Sequence, residues 1–134
     1  MNAIRFKVIL FGLAQLLRTA AKVDSSFASR LKERNIIAQI QVKDGSISRY
    51  YIIKDGRVKT GKGIHPDADV RVIFRDASVG ARILTPPTDY LAQINAMKSF
   101  QMQAEGDDAT ASWFMETVSM MQAIGTRTGT PMKD

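Results

Sequence analysis

The chain has 134 residues, 45% of them hydrophobic and 24% charged, and a formal net charge of +6. This length suits one domain with a single hydrophobic core, and the apolar content argues against wholesale disorder. The absence of cysteine excludes disulfide bonds, thiolate metal sites and a cysteine nucleophile, and it fits a reducing compartment such as the cytoplasm.

The positive charge lies in the N-terminal part of the chain. Residues 1–40 contain seven Lys or Arg and two acidic residues, whereas the other 94 residues contain twelve and eleven. Such a segment can attract anionic lipid headgroups or nucleic acid. Because its basic residues flank an apolar run and are not organised with exposed aromatic residues, we expect peripheral contact with an anionic membrane and no nucleic-acid partner.

Residues 1–22 are predicted to form a long amphipathic helix. The uncharged run "VILFGLAQLL", residues 8–17, is too short to span a bilayer, which takes about 20 residues. A secretory signal is the alternative, although Gln15 and Arg18 interrupt its pattern. The apolar stripe is broader than one packing face requires, so the helix is expected to cover the core as a lid or to dock on a membrane. The expected docking residues are Arg5, Lys7, Leu10, Phe11, Leu17 and Arg18.

A second helix is predicted from Asp24 or Ser25 to about Arg34, after which apolar residues alternate with polar ones. Asp-Gly pairs at 44–45 and 55–56 indicate type I′ hairpin turns, because both central residues of that turn need positive φ. Each strand has one polar and one apolar face, so helices must cover the apolar side of the sheet. Strands are predicted over 36–43, 47–54, 57–61 and 69–74.

Catalytic and metal-binding motifs are weak. His65 is the single histidine and lies in the polar loop "GKGIHPDAD", so a zinc site or a serine-histidine-aspartate triad would depend on it alone. Paired carboxylates occur at Asp67 and Asp69 and at Asp107 and Asp108, where turns and helix caps favour them. The chain is therefore expected not to be an enzyme and to need no metal and no cofactor.

Two further helices are predicted before the last strand. One covers 76–84 and stops before a pair of prolines, which cannot continue it. The other lies in "TDYLAQINAM" and begins at Thr88 or Asp89. The polar tail at 125–134 is expected to be mobile.

The end of the chain is unusually apolar. A fifth strand is predicted over 99–105 with Phe100, Met102 and Ala104 facing inward, and a last helix over 108–124. A helix that is apolar nearly all round is either buried on several sides or lines a space. Five methionines within 25 residues favour an adaptable surface around a cavity. The apolar residues of this helix are Trp113, Phe114, Met115, Val118, Met120, Met121 and Ile124.

Three groups of motifs follow one another in a set order. Two hairpin "DG" turns come first, "DADVRVIF" is followed by "RDASVGARIL", and "FQMQAEGDDATA" leads into the last helix. This order resembles the sterol carrier protein-2 domain over residues 24–124. The resemblance implies an α+β fold, in which helices pack over one face of a five-stranded, mostly antiparallel sheet and enclose a hydrophobic tunnel. The lipid-binding domain would then cover residues 23–124.

The resemblance also implies a function, the non-catalytic binding or transfer of a sterol, fatty acyl chain, phospholipid or isoprenoid quinone. The alternative is an interaction module or accessory subunit, which would use the same apolar helices to bind an enzyme partner or to homodimerise. Neither the order of the motifs nor the composition identifies which of these ligands is bound. The residues that the resemblance places at the tunnel are Phe100, Met102, Trp113, Phe114, Val118 and Met121. The apolar residues Leu91 and Ile94 of the preceding helix are predicted to bind the ligand with them.

Overall fold

The computed structural model describes residues 2–85 and 90–127. The helices are α1 (Asn2–Val23), α2 (Ser25–Leu31), α3 (Ala77–Leu84), α4 (Tyr90–Lys98) and α5 (Asp108–Arg127). The strands are β1 (Ile36–Val42), β2 (Ser48–Lys54), β3 (Arg57–Lys62), β4 (Val70–Phe74) and β5 (Met102–Gly106). The predicted start of α4 at Thr88 or Asp89 and the predicted tail from residue 128 onward lie outside the described residues, whereas 125–127 belong to α5.

The five strands form one sheet in the order β3-β2-β1-β4-β5. The pair β1 and β4 is parallel, and the other three neighbouring pairs are antiparallel. The predicted fold class, an α+β chain with a mostly antiparallel sheet of five strands, is therefore confirmed. Alternation along β1 and β4 places Ala38, Ile40 and Val42 beside Val70 and Phe74 on the side that the helices cover.

One of the two predicted type I′ turns is confirmed. Asp55 and Gly56 both have positive φ, 53° and 80°, and they connect β2 directly to β3. The prediction is wrong for the first Asp-Gly pair, because a longer loop joins β1 to β2 and positive φ is found at Gly45. There the Asp44 carboxylate accepts hydrogen bonds from the Ser46 N–H and hydroxyl at 2.9 and 2.7 Å, and the backbone bond above all lowers the pKa of Asp44.

Aspartate side chains begin three of the helices. Asp24, Asp76 and Asp107 each accept a hydrogen bond at 3.0 Å from the backbone N–H three residues later, which satisfies a donor that has no partner within the helix. The bonds from Val79 to Asp76 and from Thr110 to Asp107 are the main reason that the pKa of each capping carboxyl is lowered. These caps explain why the predicted helix starts agree with the structure within one residue.

Helix α1 is part of the hydrophobic core. Phe6 packs edge-on against Phe74 of β4, with 5.8 Å between ring centroids. The Tyr51 hydroxyl of β2 donates a hydrogen bond of 2.5 Å to the Leu10 carbonyl, and burial raises the pKa of Tyr51. The helix thus bridges both halves of the sheet. Its buried side chains are Phe6, Leu10, Leu13, Ala14, Leu17 and Ala20.

Candidate functional site

Five of the predicted ligand-binding residues lie in the core. All five are buried and belong to one hydrophobic cluster with residues of the sheet and α1: Met102 of β5 and Trp113, Phe114, Val118 and Met121 of α5. Helix α5 contacts β4, β5, α1, α2 and α4, so most of its circumference is covered by other elements. These side chains occupy the layer where a tunnel was predicted, and the tunnel itself stays a prediction.

Trp113 lies in the same helix but faces α2. Its indole N–H donates to the Glu33 carboxylate at 3.1 Å, and the Arg30 guanidinium stands over the ring at 5.3 Å from its centroid. Arg30 also donates to the Thr117 hydroxyl at 2.8 Å and to the Trp113 carbonyl at 3.2 Å. These contacts fasten α2 to α5, so the polar edge of Trp113 has a structural role.

Helix α4 places a leucine in solvent and a glutamine in the interior. Leu91, predicted to bind ligand, is 64% exposed, whereas Gln93 is 2% exposed. Ile94, the other residue predicted on this helix, is half-buried, and Ala96 is buried. The prediction for Leu91 as an inward residue is wrong, because the buried side of α4 is the one that carries Gln93 and Ala96. Helix α4 contacts both α5 and β5.

The buried Gln93 is hydrogen-bonded through one of its two polar atoms. Its Nε2 donates to the Ser119 hydroxyl of α5 at 3.0 Å. Its Oε1 is buried and accepts no hydrogen bond from the residues that the structure describes. Nearby on α5, the Gln122 Nε2 donates to the Leu84 carbonyl at 2.8 Å, so polar groups recur along this helix interface. Leaving a buried acceptor without a partner costs about 1–3 kcal/mol, so a further donor to the Gln93 Oε1 would stabilise this layer.

Phe100 was predicted to face inward on β5, and this is wrong. It is 79% exposed and has φ of 63°, in the turn that ends α4. Its N–H donates to the Met97 carbonyl at 3.1 Å, and the Gln101 N–H donates to the Ala96 carbonyl at 2.9 Å. This pair of bonds is the Schellman motif, which requires a left-handed residue at the position of Phe100. Strand β5 consequently begins only at Met102.

The predicted docking residues of α1 divide between its two sides. Leu10 and Leu17 are 2% and 0% exposed, so their prediction as membrane-facing residues is wrong: they belong to the stripe that packs on the sheet. Arg18 donates to the Val58 carbonyl of β3 at 2.6 and 3.0 Å. Arg5 is exposed and donates to the Thr85 hydroxyl at 3.4 Å, and Lys7 is exposed.

A second apolar stripe on α1 points to solvent. Ile4, Val8 and Phe11 are each 64–67% exposed and follow one another at intervals of one helical turn. We refer to these three residues as the outer stripe. Leu16 and Val23 are also exposed, about 90° around the helix from them. Among the described residues, no helix is both long enough and apolar enough to cross a bilayer.

A cleft of about 430 Å³ separates α1 from the adjoining ends of β2 and β3, and we call it the α1 cleft. It is closed on one side by α1 and on the other by the loop that precedes β2 and by Gly63, which follows β3. Its apolar lining is Val8, Leu10, Phe11 and Ile47, and its cationic lining is Lys7, Arg49 and Lys62.

Three of the side chains considered for catalysis, those of Asp69, Asp107 and His65, have structural partners. The Asp69 carboxylate accepts from the Ile37 N–H at 2.7 Å, and Asp107 is a helix cap. The His65 Nδ1 accepts from the Asp67 N–H at 3.0 Å, and its ring packs edge-on against Tyr50 at 4.9 Å. Within residues 2–85 and 90–127, no group of three or more His, Asp or Glu side chains is arranged to hold a metal ion.

Comparison with known proteins finds several solved structures that are similar to this chain. No protein-family model matches the chain, and no curated protein matches it. The UbiJ-SCP2 ubiquinone synthesis protein is 21% identical, with a TM-score of 0.62 over 87% of this chain and 93% of that one. A conserved hypothetical protein of Thermus thermophilus is 11% identical, with a TM-score of 0.58 over 87% and 85% of the two chains.

Sterol carrier protein 2 from Yarrowia lipolytica is 17% identical, with a TM-score of 0.55 over 81% of this chain and 88% of that one. The similarities span most of each protein, so they concern whole domains and not a shared fragment. The chain has the fold of sterol carrier protein 2, as the order of its sequence motifs indicated.

Proposed function

We propose that this chain binds an apolar ligand in the layer between α4, α5 and β5 and carries or presents it without catalysis. The ligand would be a lipid with a hydrogen-bond donor at one end, such as a sterol or another hydroxyl-bearing lipid. The shared fold supports the proposal, because one protein with this fold is described as a sterol carrier protein and another as a ubiquinone synthesis protein.

The observation that carries the proposal is the inverted polarity of α4. A helix that only packed against the core would bury Leu91 and expose Gln93, since burying a polar group without a full set of hydrogen bonds is unfavourable. Here the reverse arrangement leaves the Gln93 Oε1 buried and without a hydrogen bond from any described residue. A ligand hydroxyl that donated to this oxygen would satisfy it, while Met102 and Met121 could repack around the hydrocarbon part.

The expected affinity suits a carrier. Burying about 300–400 Å² of ligand at roughly 25 cal/mol/Å² gives on the order of 8–10 kcal/mol before the costs of association. Those costs amount to several kcal/mol and leave a dissociation constant of about micromolar order. A ligand held this weakly can be released again.

Native mass spectrometry of the purified full chain, followed by lipid extraction, tests the proposal directly. We expect one apolar molecule per chain, and we expect titration with dehydroergosterol or farnesol to be tighter than titration with the acetate ester of either. The Gln93→Leu variant is expected to bind both alcohols about ten-fold more weakly and to lose the preference over the esters, because the acceptor is gone.

The matched control is Gln103→Leu, which makes the same change on the exposed side of β5 and is expected to leave both affinities unchanged. Purification of the chain without any apolar molecule, together with no binding of the four probes, would contradict the proposed function. Binding of the alcohols that Gln93→Leu leaves unchanged would contradict the role of Gln93 alone.

We further propose that α1 docks on anionic membrane surfaces through the outer stripe. A helix in such an interface buries its apolar side chains among the headgroups, and each nearby Lys or Arg adds about 1 kcal/mol on an anionic bilayer. The outer stripe lies beside Arg5 and Lys7 and belongs to the most positively charged part of the chain. A carrier in the cytoplasm that exchanges lipid with a membrane would need such a peripheral contact.

Flotation with vesicles of phosphatidylcholine and phosphatidylglycerol tests the docking. The Ile4→Ser/Val8→Ser variant is expected to lower the bound fraction several-fold, because two exposed side chains would no longer enter the membrane. Leu16→Ser/Val23→Ser removes two apolar residues that are 51% and 59% exposed on another side of α1, and it should change the bound fraction little. Equal losses in the two variants would show that the outer stripe has no special role.

The outer stripe also supports the second candidate function, an interaction module or accessory subunit. A homodimer or an enzyme partner would cover the same three side chains, as exposed apolar patches do in protein interfaces. Light scattering separates the two functions. A stable dimer that contains no extractable lipid and dissociates in the Ile4→Ser/Val8→Ser variant would favour the interaction module.

A further inference from the structure

We propose that the α1 cleft binds an anionic single-chain amphiphile, with its carboxylate among Lys7, Arg49 and Lys62 and its hydrocarbon chain along α1. The inference deepens the proposed function and rests on it, since it adds a class of lipid and a second binding position. This position is distinct from the α4–α5 layer, because none of the residues that line the cleft belongs to α4, α5 or β5.

The strongest observation is a pair of like charges in the sheet. Arg49 of β2 and Lys62 of β3 are direct partners in the antiparallel register, so their side chains leave the sheet on the same face. This is the face toward α1, because Tyr51, two residues along β2, donates to the Leu10 carbonyl. Two cations opposite each other destabilise a sheet unless an anion lies between them.

The described residues do not supply that anion. Neither Arg49, Lys62 nor Lys7 takes part in an ion pair within the described part of the chain. The ten residues that line the cleft include no Asp or Glu. Asp44 is close in sequence, but its carboxylate is engaged by the N–H and hydroxyl of Ser46.

Two contacts fix the side chain of Arg49 before any ligand binds. Its Nη1 donates to the Thr60 hydroxyl at 3.1 Å, and its guanidinium lies over the Phe11 ring at 5.2 Å from the centroid. The remaining N–H groups of the guanidinium can donate to a carboxylate, and Arg favours such paired contacts because its donors lie in one plane. Fixing the side chain before binding lowers the entropy that a ligand must overcome.

The apolar half of the cleft explains why the anion should carry a chain. Leu10 and Ile47 are buried and form the floor, while Val8 and Phe11 are exposed at the entrance. A small inorganic anion would leave these surfaces in water, whereas a hydrocarbon chain would cover them. The volume of about 430 Å³ lies within the range of about 300–1,000 Å³ that is typical of small-molecule sites.

Fluorescence titration of the full chain with cis-parinaric acid and with its methyl ester tests the proposal. The two probes share a hydrocarbon chain and differ in charge. Wild-type protein is expected to bind the acid about ten-fold more tightly than the ester, because charge-assisted hydrogen bonds form only with the carboxylate. The Arg49→Gln/Lys62→Gln variant is expected to remove this preference, and Lys62→Gln alone to reduce it.

The matched control is Lys54→Gln/Lys59→Gln. It removes two positive charges from the same two strands, at exposed positions that do not line the cleft, and should leave the preference intact. Circular dichroism establishes that each variant is folded. The single variant Lys62→Gln changes an exposed side chain and gives a readout even if the double variant does not fold.

The remaining outcomes separate failure of the cleft proposal from failure of the proposed function. Equal binding of acid and ester by the wild type would overturn the cleft proposal and leave the proposed function standing. A preference for the acid that persists in the double variant would do the same. Failure of the wild type to bind either probe or any hydroxyl-bearing lipid would overturn both. If the double variant loses only its binding to phosphatidylglycerol vesicles, the cations face a bilayer and not a single amphiphile, and the cleft proposal fails.

Discussion

Phe6→Ala is expected to lower the free energy of unfolding by about 3–5 kcal/mol, the usual range for removing a fully buried phenylalanine. Phe6 is 0% exposed, and its ring lies between Phe74 of the sheet and Gly80 of α3. A Cβ atom at Gly80 would overlap the Phe6 ring, so α1 and α3 approach each other closely at this point. The substitution would leave a cavity where helix, helix and sheet meet.

The control is Phe11→Ala, the same substitution on the same helix at a position that is 64% exposed. It loses the contact with Arg49, which is worth about 0.5–1 kcal/mol at an exposed site, so a loss below about 1 kcal/mol is expected. Denaturant unfolding followed by circular dichroism gives both values. Similar losses in the two variants would mean that α1 does not belong to the folding core.

The burial of α1 in the core affects how its function should be tested. Six side chains of α1 are buried in the core, so a truncation that lacked residues 1–22 would remove part of the fold together with the outer stripe. Loss of lipid or membrane binding in such a truncation would have two explanations. Substitutions on the exposed side of α1 change the outer stripe while the buried stripe stays intact, which is why the flotation experiment uses them.

Local chemistry in the sequence predicts much of the architecture. Aspartate caps and alternating strands identify the type of every element, and element ends differ from the structure by no more than three residues where both are described. Caps and turns depend on neighbours in sequence, so their signals are local. Which side of α1 is buried is not local: both of its stripes are apolar, and contact with Tyr51 and Phe74 decides between them.

The wrong predictions for the candidate site also concern features that the local sequence does not determine. Alternation in "SFQMQAE" continues through Phe100, although the chain turns there, and a phenylalanine in the left-handed position gives no sign of a helix end that glycine usually marks. The inward side of α4 could not be predicted, because its apolar residues do not form a single stripe. The α1 cleft depends on the pairing of Arg49 with Lys62, and the predicted third strand ended one residue before Lys62.

The second large effect is expected for Gly106→Ala, at the junction between β5 and α5. Gly106 has φ of 118°, a conformation that residues with a side chain rarely adopt. A Cβ atom there would also collide with the Asp69 carbonyl oxygen of the neighbouring segment. We expect the free energy of unfolding to fall by about 2–4 kcal/mol, from backbone strain of about 1–3 kcal/mol together with the collision.

The collision cannot be relieved easily, because two hydrogen bonds hold Asp69 to Ile37 of β1. Its backbone N–H donates to the Ile37 carbonyl at 2.7 Å, and its carboxylate accepts from the Ile37 N–H at 2.7 Å. The control is Gly63→Ala, since Gly63 also has positive φ, 105°, but no atom lies within 4 Å of its added Cβ. That variant isolates the backbone strain and should lose about 1–2 kcal/mol.

The difference between the two variants then measures how firmly the β4–β5 edge is fixed. If Gly106→Ala loses clearly more stability than Gly63→Ala in denaturant unfolding, Asp69 holds its position and the start of α5 is rigid. Any opening of the α4–α5 layer to admit a ligand would then have to come from movement of α4. Equal losses would contradict this, because they would mean that β5 shifts to accommodate the added methyl group and that α5 can shift with it.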